Sequence, residues 1–421
     1  MLTLRHCFFC IQKKDRVMFS PALIFTSLWV LQLLLHAIFH DSFVPFDMVT
    51  VCAIGVAVIF FNFGVWLKGV EPPPLGLVTH HDEAYTSALV VRFLNVFFVV
   101  YALAGGYASM HLFNELTALG IDWLDIPKIR EYVIADFSGD RELYGYFRVF
   151  HIGVGFSILF VAYSKHLTKT HLALVLVVGL VSAIITTGRL FMMLYFLSAT
   201  ALLYSAQIVR LRGVALAGLL FVGLFFLIAI VMGKGDNDGV DSLLGSVMWN
   251  SQVYVLSSLA CFNDFVITDS QRMDGGALLP NSVRELLAWG GIAIPAKPSL
   301  LPFSEVPVPC NTYTFMFPLF HDGSFLGLTA GCLLIGFIHQ HMYLRFNSRN
   351  SPTWSYLYAI SIYALVMSVF EDAYFSSPGF WAVLLIPPVA FHLFQKLAPQ
   401  FWKPVFEMDQ KTGLSIGFNK F

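Results

Sequence analysis

Charge is what this sequence has least of. Lys, Arg, Asp and Glu together supply 12% of 421 residues, against about a quarter in an ordinary soluble domain. So few charges cannot clothe a soluble enzyme of this size, and a net charge of -1 argues against nucleic acid as a partner. Cysteine is also scarce, at six. Cys7 and Cys10, in CFFC, have the spacing of a metal-binding pair, but no second pair or histidine cluster completes a zinc site, so they read as apolar filler. Cys261 and Cys310 are both placed to face an oxidising compartment, and spacing alone does not settle whether they pair. The outer loops hold no DxD-like pair suited to a divalent cation. DNDGVD at 236–241 lies in a glycine-rich setting and reads as a solvated loop.

Apolar length is what remains. Hydrophobic residues make up 57% of the chain, and a membrane-crossing helix needs about 20 of them in succession. Such runs fall at 18–38, 47–67, 87–107, 146–164, 171–188, 190–208, 213–232, 317–340, 355–372 and 379–396. Residues 245–266 form the best candidate for one further membrane or re-entrant helix. The expected fold is therefore an all-α polytopic membrane protein of about ten to twelve transmembrane helices, one integral membrane domain over residues 1–421. Lys13, Lys14 and Arg16 precede the first run, which reads as a retained anchor with no cleavable signal before it.

Cations orient the chain. With the N terminus inside, the inner segments collect Arg5, Lys13, Lys14, Arg16, Lys68, Lys165, Lys169, Arg210, Arg212, Arg345, Arg349 and the four lysines of the C-terminal tail, as the positive-inside rule demands. Two long loops then lie outside, at 108–145 and 233–316. Long loops are exempt from the charge rule, so their arginines do not oppose this arrangement.

Those outer cations carry the candidate chemistry. Arg189 stands at the junction of two apolar runs, and Arg141 and Arg148 sit in SGDRELYGYFRVFH before the fourth run. Arg284 and Lys297 occupy the larger loop. A guanidinium beside lipid is costly unless it meets an anion, and its planar fork suits phosphate. Lys128, Arg130 and Arg272 read instead as interfacial anchors. The stretch from 276 to 327 ends in NTYTFMFPLFHDGSFLG. It sets His321 and Asp322 side by side at the entry to a late span, with Glu142 of the first loop as a second possible base. HHDE at 80–83 falls in an inner loop and reads as solvated.

The Gly188–Arg189 junction, together with a large outer loop closing on Asn311, Tyr313, Thr314, Asp322, Gly323 and Gly327, resembles the Wzy-type O-antigen or oligosaccharide repeat unit polymerases of bacterial inner membranes. The resemblance implies a GT-C-like helical glycosyltransferase with two long periplasmic loops and an active site facing the periplasm. It implies undecaprenyl-diphosphate-linked oligosaccharides as substrates, membrane lipid as surroundings, a Wzz-like chain-length regulator as partner, and no metal or other cofactor. On that reading Arg189, Arg148 and Arg284, with Arg141 and Lys297, neutralise the lipid diphosphate as it leaves. His321 and Asp322 handle the acceptor proton, Asn311 and Tyr313 hold sugar hydroxyls, and Tyr313, Phe315 and Phe317 stack on sugar rings. The same rings also suit an interfacial aromatic belt.

Two other classes share the composition. A lipid or oligosaccharide transporter usually carries an internal repeat and midplane charges, neither of which is visible here. An O-antigen ligase has the same architecture and outer-loop Arg and His and stays open as the closer alternative, with the N-x-Y-T entry to the late span favouring the polymerase.

The topology is directly testable. With single cysteines placed at Val240 and Gln410 in a cysteine-free background, an impermeant thiol reagent applied to spheroplasts should label 240 and spare 410. The reverse pattern would invert the orientation.

Overall fold

The computed structural model describes residues 17–39, 43, 45–69, 80–122, 125, 128–129, 143–186, 189–231, 243–269, 277–279, 281–292, 301, 303–306, 309–347, 351–375 and 377–412. Among them are twelve α-helices: α1 Pro21–Ile38, α2 Met48–Lys68, α3 His80–Ala118, α4 Leu143–Ala162, α5 Lys169–Ile185, α6 Arg189–Ser205, α7 Leu211–Val231, α8 Leu243–Asp269, α9 Asn281–Trp289, α10 Met316–Asn347, α11 Pro352–Met367 and α12 Pro378–Thr412. Each of the ten expected spans falls on a helix, although the one expected at 317–340 crosses a break at Ser324 in α10, and the expected additional one is α8. Five helices are long and apolar enough by themselves to cross a membrane, and five more are shorter apolar helices. The protein is an all-α polytopic membrane protein. One two-stranded antiparallel ladder, β1 (Ser304–Glu305) with β2 (Pro309–Cys310), precedes α10.

Local chemistry sets several helix starts. Asp47 caps α2 by accepting the Val49 N–H at 2.7 Å, Thr168 caps α5 through His171 N–H at 3.2 Å, and Pro21 and Pro352 occupy first turns, where a missing N–H costs nothing. α3 has 39 residues, a length of about 58 Å at 1.5 Å per residue. An apolar run placed its span at 87–107, yet the helix begins at His80, so the HHDE stretch at 80–83 expected as a loop is its first turn, and it runs on to Ala118, within the expected first long loop.

The described residues form two large apolar cores and a small third cluster of Ala108, Leu112, Phe147 and Phe150 between α3 and α4. One joins α3, α4, α5, α6, α11 and α12; the other joins α1, α2, α8 and α10. Phe370 and Tyr374, in the turn after α11, pack against both.

The tightest contact in the second core is between α2 and α10. A Cβ on Gly64 would collide with the Leu333 carbonyl, and one on Gly336 with the Phe61 carbonyl, so the two backbones touch as only small residues permit. Phe61 faces Gly336, Gly64 faces Leu333 and Phe337, and the Gln340 amide donates to Gly69 O at 2.9 Å. Residue numbers rise together along both helices, so the pair is parallel. Lys68 and Arg345 therefore share one end of the bundle, while Met48 and the loops before α10 share the other, termed here the loop end. α8 arrives at that same loop end, where Asn263 accepts the Asp47 N–H at 2.8 Å and donates to Pro45 O at 3.2 Å. Two amide side chains inside this core are bonded: Gln32 to the Val255 carbonyl, and Asn62 to Thr26 Oγ1 at 2.9 Å and Val58 O at 2.8 Å. An unbonded amide there would cost several kcal/mol, as roughly expected away from water.

α10 is not one rod. Ser324 breaks it with φ 48° and ψ -143°, in a region that a non-glycine residue occupies at a cost of about 1–3 kcal/mol. In a straight helix Leu319 and Gly331 would stand about 18 Å apart. Instead a Cβ on Gly331 would strike the Leu319 side chain, and one on Gly327 the Leu319 carbonyl. The chain therefore doubles back at Ser324. Before the helix, Phe315 is wholly buried, donates its N–H to Ser368 O at 3.1 Å, and packs edge-on to Phe25 at 5.6 Å. Phe25 in turn stacks on Phe61 at 3.9 Å. Residues 311–315 thus dip into the bundle, 316–323 climb out as a short helix, and 325–347 descend again.

The glycine contact gives a clear expectation. Gly336→Ala should lower the unfolding midpoint in detergent, by an overpacking penalty on the order of 1–3 kcal/mol, whereas Gly55→Ala, where a methyl group meets open space, should leave it unchanged or raise it slightly.

Candidate functional site

The re-entrant piece delivers the chemistry. His321 and Asp322 lie near the end of the short helix, just before the break, and His321 Nδ1 bonds Asp322 Oδ1 at 2.7 Å. The carboxylate is held from behind. It accepts the Ala277 N–H at 2.9 and 3.0 Å through its two oxygens and the Leu278 N–H at 2.7 Å. Asp322 thus spends its acceptors on a loop 45 residues away in sequence and not on the first-turn amides of its own helix. Two effects follow. The carboxylate is fixed in position, and the His321 ring is oriented by its Nδ1 contact with that carboxylate. Aromatic rings enclose the imidazole: Phe265 at 5.7 Å and nearly parallel, and Phe317 at 5.4 Å. Tyr313 stacks on Phe317 at 4.5 Å.

Around this dyad the sequence-selected residues take different places. Arg284 sits on α9, is buried, and donates from Nε to the Leu279 carbonyl at 2.7 Å. The segment that bonds Asp322 therefore also holds the arginine. Tyr313 is buried, with its hydroxyl 3.4 Å from Ser304 Oγ of β1. Asn311 follows β2 and is half-buried. Phe315 is a core ring. Lys297, Arg141, Arg272 and the reserve base Glu142 lie outside the described residues, as do Cys7, Cys10, the 236–241 run and Gly188.

A second polar patch forms at the ends of the other core. Arg148 is exposed on α4, one turn before His151, whose ring stacks on Phe191 of α6 at 3.9 Å. Phe191 meets Phe380 of α12 at 5.3 Å, and Phe380 meets Tyr363 of α11 at 5.4 Å. The Tyr363 hydroxyl donates to Glu371 at 3.3 Å. Arg189 is the first residue of α6, two before Phe191; its side chain lies outside the described residues. Glu371 belongs to the turn between α11 and α12. The neighbouring Asp372 caps that turn by accepting the Tyr374 and Phe375 N–H groups, both at 3.0 Å.

Sequence reasoning missed Ala277, Leu278 and Phe265. Backbone donors leave no trace in residue type, and Phe265 was one apolar residue among many. Among the described residues no group of three or more His, Cys, Asp or Glu could hold a metal ion.

The Asp322 clasp can be measured. Asp322→Ala leaves two amides of the 277–278 turn without their acceptor, a loss of about 1–3 kcal/mol for buried donors. The unfolding midpoint should fall, and proteolysis within 270–292 should quicken. Asp322→Asn keeps one carbonyl acceptor and should fall between the variant and wild type.

The chain is 25% identical over 197 residues to a protein of Shigella dysenteriae named O-antigen polymerase, a match covering 46% of this chain and 49% of that one. The chain thus spans about half the length of the curated relative it matches. No family model and no solved structure matches.

Proposed function

We propose that the protein polymerises lipid-linked oligosaccharide repeat units, passing a growing glycan from undecaprenyl diphosphate to the non-reducing end of another lipid-linked unit. The work is done on the periplasmic face of the bacterial inner membrane. The observation that carries this reading is the His321–Asp322 dyad, held by two loop amides beside a buried arginine at the loop end of a membrane bundle. The likeness to a protein named O-antigen polymerase supports it over a transporter.

The reaction breaks the bond between the anomeric carbon of the donor sugar and the diphosphate oxygen, and forms one to an acceptor hydroxyl oxygen. As the acceptor oxygen attacks, its proton passes to Nε2 of His321. The imidazolium so formed is stabilised by Asp322 across the Nδ1 bond, and because Asp322 is already fixed by Ala277 and Leu278 this support needs no reorganisation. The departing diphosphate gains charge, which Arg189, Arg148 and Arg284, with Arg141 and Lys297, neutralise more strongly in the transition state than before it. Asn311 and Tyr313 orient sugar hydroxyls. Cations replace a divalent metal in this scheme, and a chain-length regulator is the expected protein partner.

Chain extension by purified protein on lipid-linked repeat units tests each role. His321→Ala should abolish extension while donor binding stays near wild type. Arg189→Ala should lose about 10²-fold to 10³-fold in rate, as is common for one electrostatic donor, and Arg189→Lys should recover little because a point charge cannot replace a fork. Extension should persist in EDTA. Full activity of His321→Ala, or magnesium-dependent recovery after chelation, would overturn the corresponding part of the scheme.

A further inference from the structure

Cys261 and Cys310 are 49 residues apart in sequence and meet inside the second core. The Cys261 thiol donates to the Cys310 carbonyl at 3.4 Å, and the Cys310 thiol donates to the Thr312 carbonyl at 3.4 Å. Both residues are buried. Cys52 is exposed, and Cys332 is buried within α10. The pair lies at the loop end: Cys261 is two residues before Asn263, which bonds the start of α2, and Cys310 is on β2, whose ladder packs beside α8.

We infer that Cys261 and Cys310 are joined by a disulfide in the mature protein, and that this bond is the staple that holds the site loop on the bundle. The inference rests on the reading that the loop end faces the periplasm, where thiols are oxidised. The bond would close a loop that carries Ala277, Leu278 and Arg284. It would also pin β2 just before the chain dips to Phe315 and climbs to His321. The oxidant is a dithiol/disulfide oxidoreductase or a small-molecule disulfide. The Cys310 thiolate attacks a sulfur of that disulfide and forms a mixed disulfide, releasing one thiol. The Cys261 thiolate then displaces the second thiol and forms the Cys261–Cys310 bond. Two protons and two electrons leave the protein, and the oxidant is reduced to its dithiol.

The test uses the full chain expressed in its membrane. Cells are quenched in acid and treated with N-ethylmaleimide under denaturing conditions. The protein is then reduced, alkylated with a maleimide of different mass, and digested for mass spectrometry. The Cys261 and Cys310 peptides should carry the second tag, and the Cys52 peptide the first. In a separate arm, purified reduced protein is incubated with oxidised glutathione and its thermal midpoint read with and without reductant. Reduction should lower the midpoint of wild type and leave a Cys261→Ser, Cys310→Ser double variant unmoved. First-tag labelling of both cysteines in cells overturns the native bond. If glutathione closes the pair in vitro and the Val240 and Gln410 labels show the opposite orientation, the error lies in the assigned compartment. If glutathione cannot close it, the geometry itself is refuted.

Discussion

The close approach of α2 to α10 is the constraint on which the loop end depends. Two helices in lipid gain nothing from hiding apolar side chains, since the lipid is equally apolar, so contact must come from packing and from bonds that small residues allow. Gly64 and Gly336 let the backbones touch, and Gln340 fastens the far end to Gly69. With α10 fixed against α2, the sharp break at Ser324 has a wall to fold against. Leu319 is seated on Gly327 and Gly331, and those three positions convert a helix into a helical hairpin.

Backbone that leaves regular structure at membrane depth has to find partners in protein. Here the Phe315 N–H finds the Ser368 carbonyl, a carbonyl released because α11 ends at Met367. The shortening of α11 and the dip of the chain before α10 are therefore one arrangement. At the top of the hairpin, Asp322 plays the complementary part, supplying acceptors to amides of the preceding loop. One carboxylate thus joins a loop, a hairpin and a histidine.

Much of the architecture was legible in the sequence because the bilayer imposes a length that hydropathy reports directly. Every expected span but the one at 317–340, which the hairpin at Ser324 divides, falls on a single helix, and α8, whose polar residues weaken its signal, stood out as the extra one. Ends were less legible. Residues 368–372 were included in the last span but one, yet Glu371 and Asp372 lie in a turn held by Asp372 itself. At the site, the residue types of His321 and Asp322 marked the spot, but their setting did not. HDGS reads as the entrance to a helix, whereas it is the crest of a hairpin, since the energy that holds Ser324 at φ 48° comes from glycines three to twelve positions later and from a helix 270 residues earlier. Backbone donors such as Ala277 and Leu278 are invisible to any reading by side-chain type.

Parallel neighbours carry an electrical consequence. Antiparallel helices cancel one another's dipoles, but α2 and the long arm of α10 start at the same end and finish at the same end, so their partial charges add. At the finishing end the summed negative poles are met by Lys68 and Arg345, the former lying over the Phe337 ring at 6.0 Å. At the starting end the summed positive poles open toward the hairpin crest, and Asp47 offsets part of one of them. The fold itself therefore biases that end toward anions before a single arginine is counted, and any negatively charged headgroup approaching the crest is drawn by the main chain as well as by side chains.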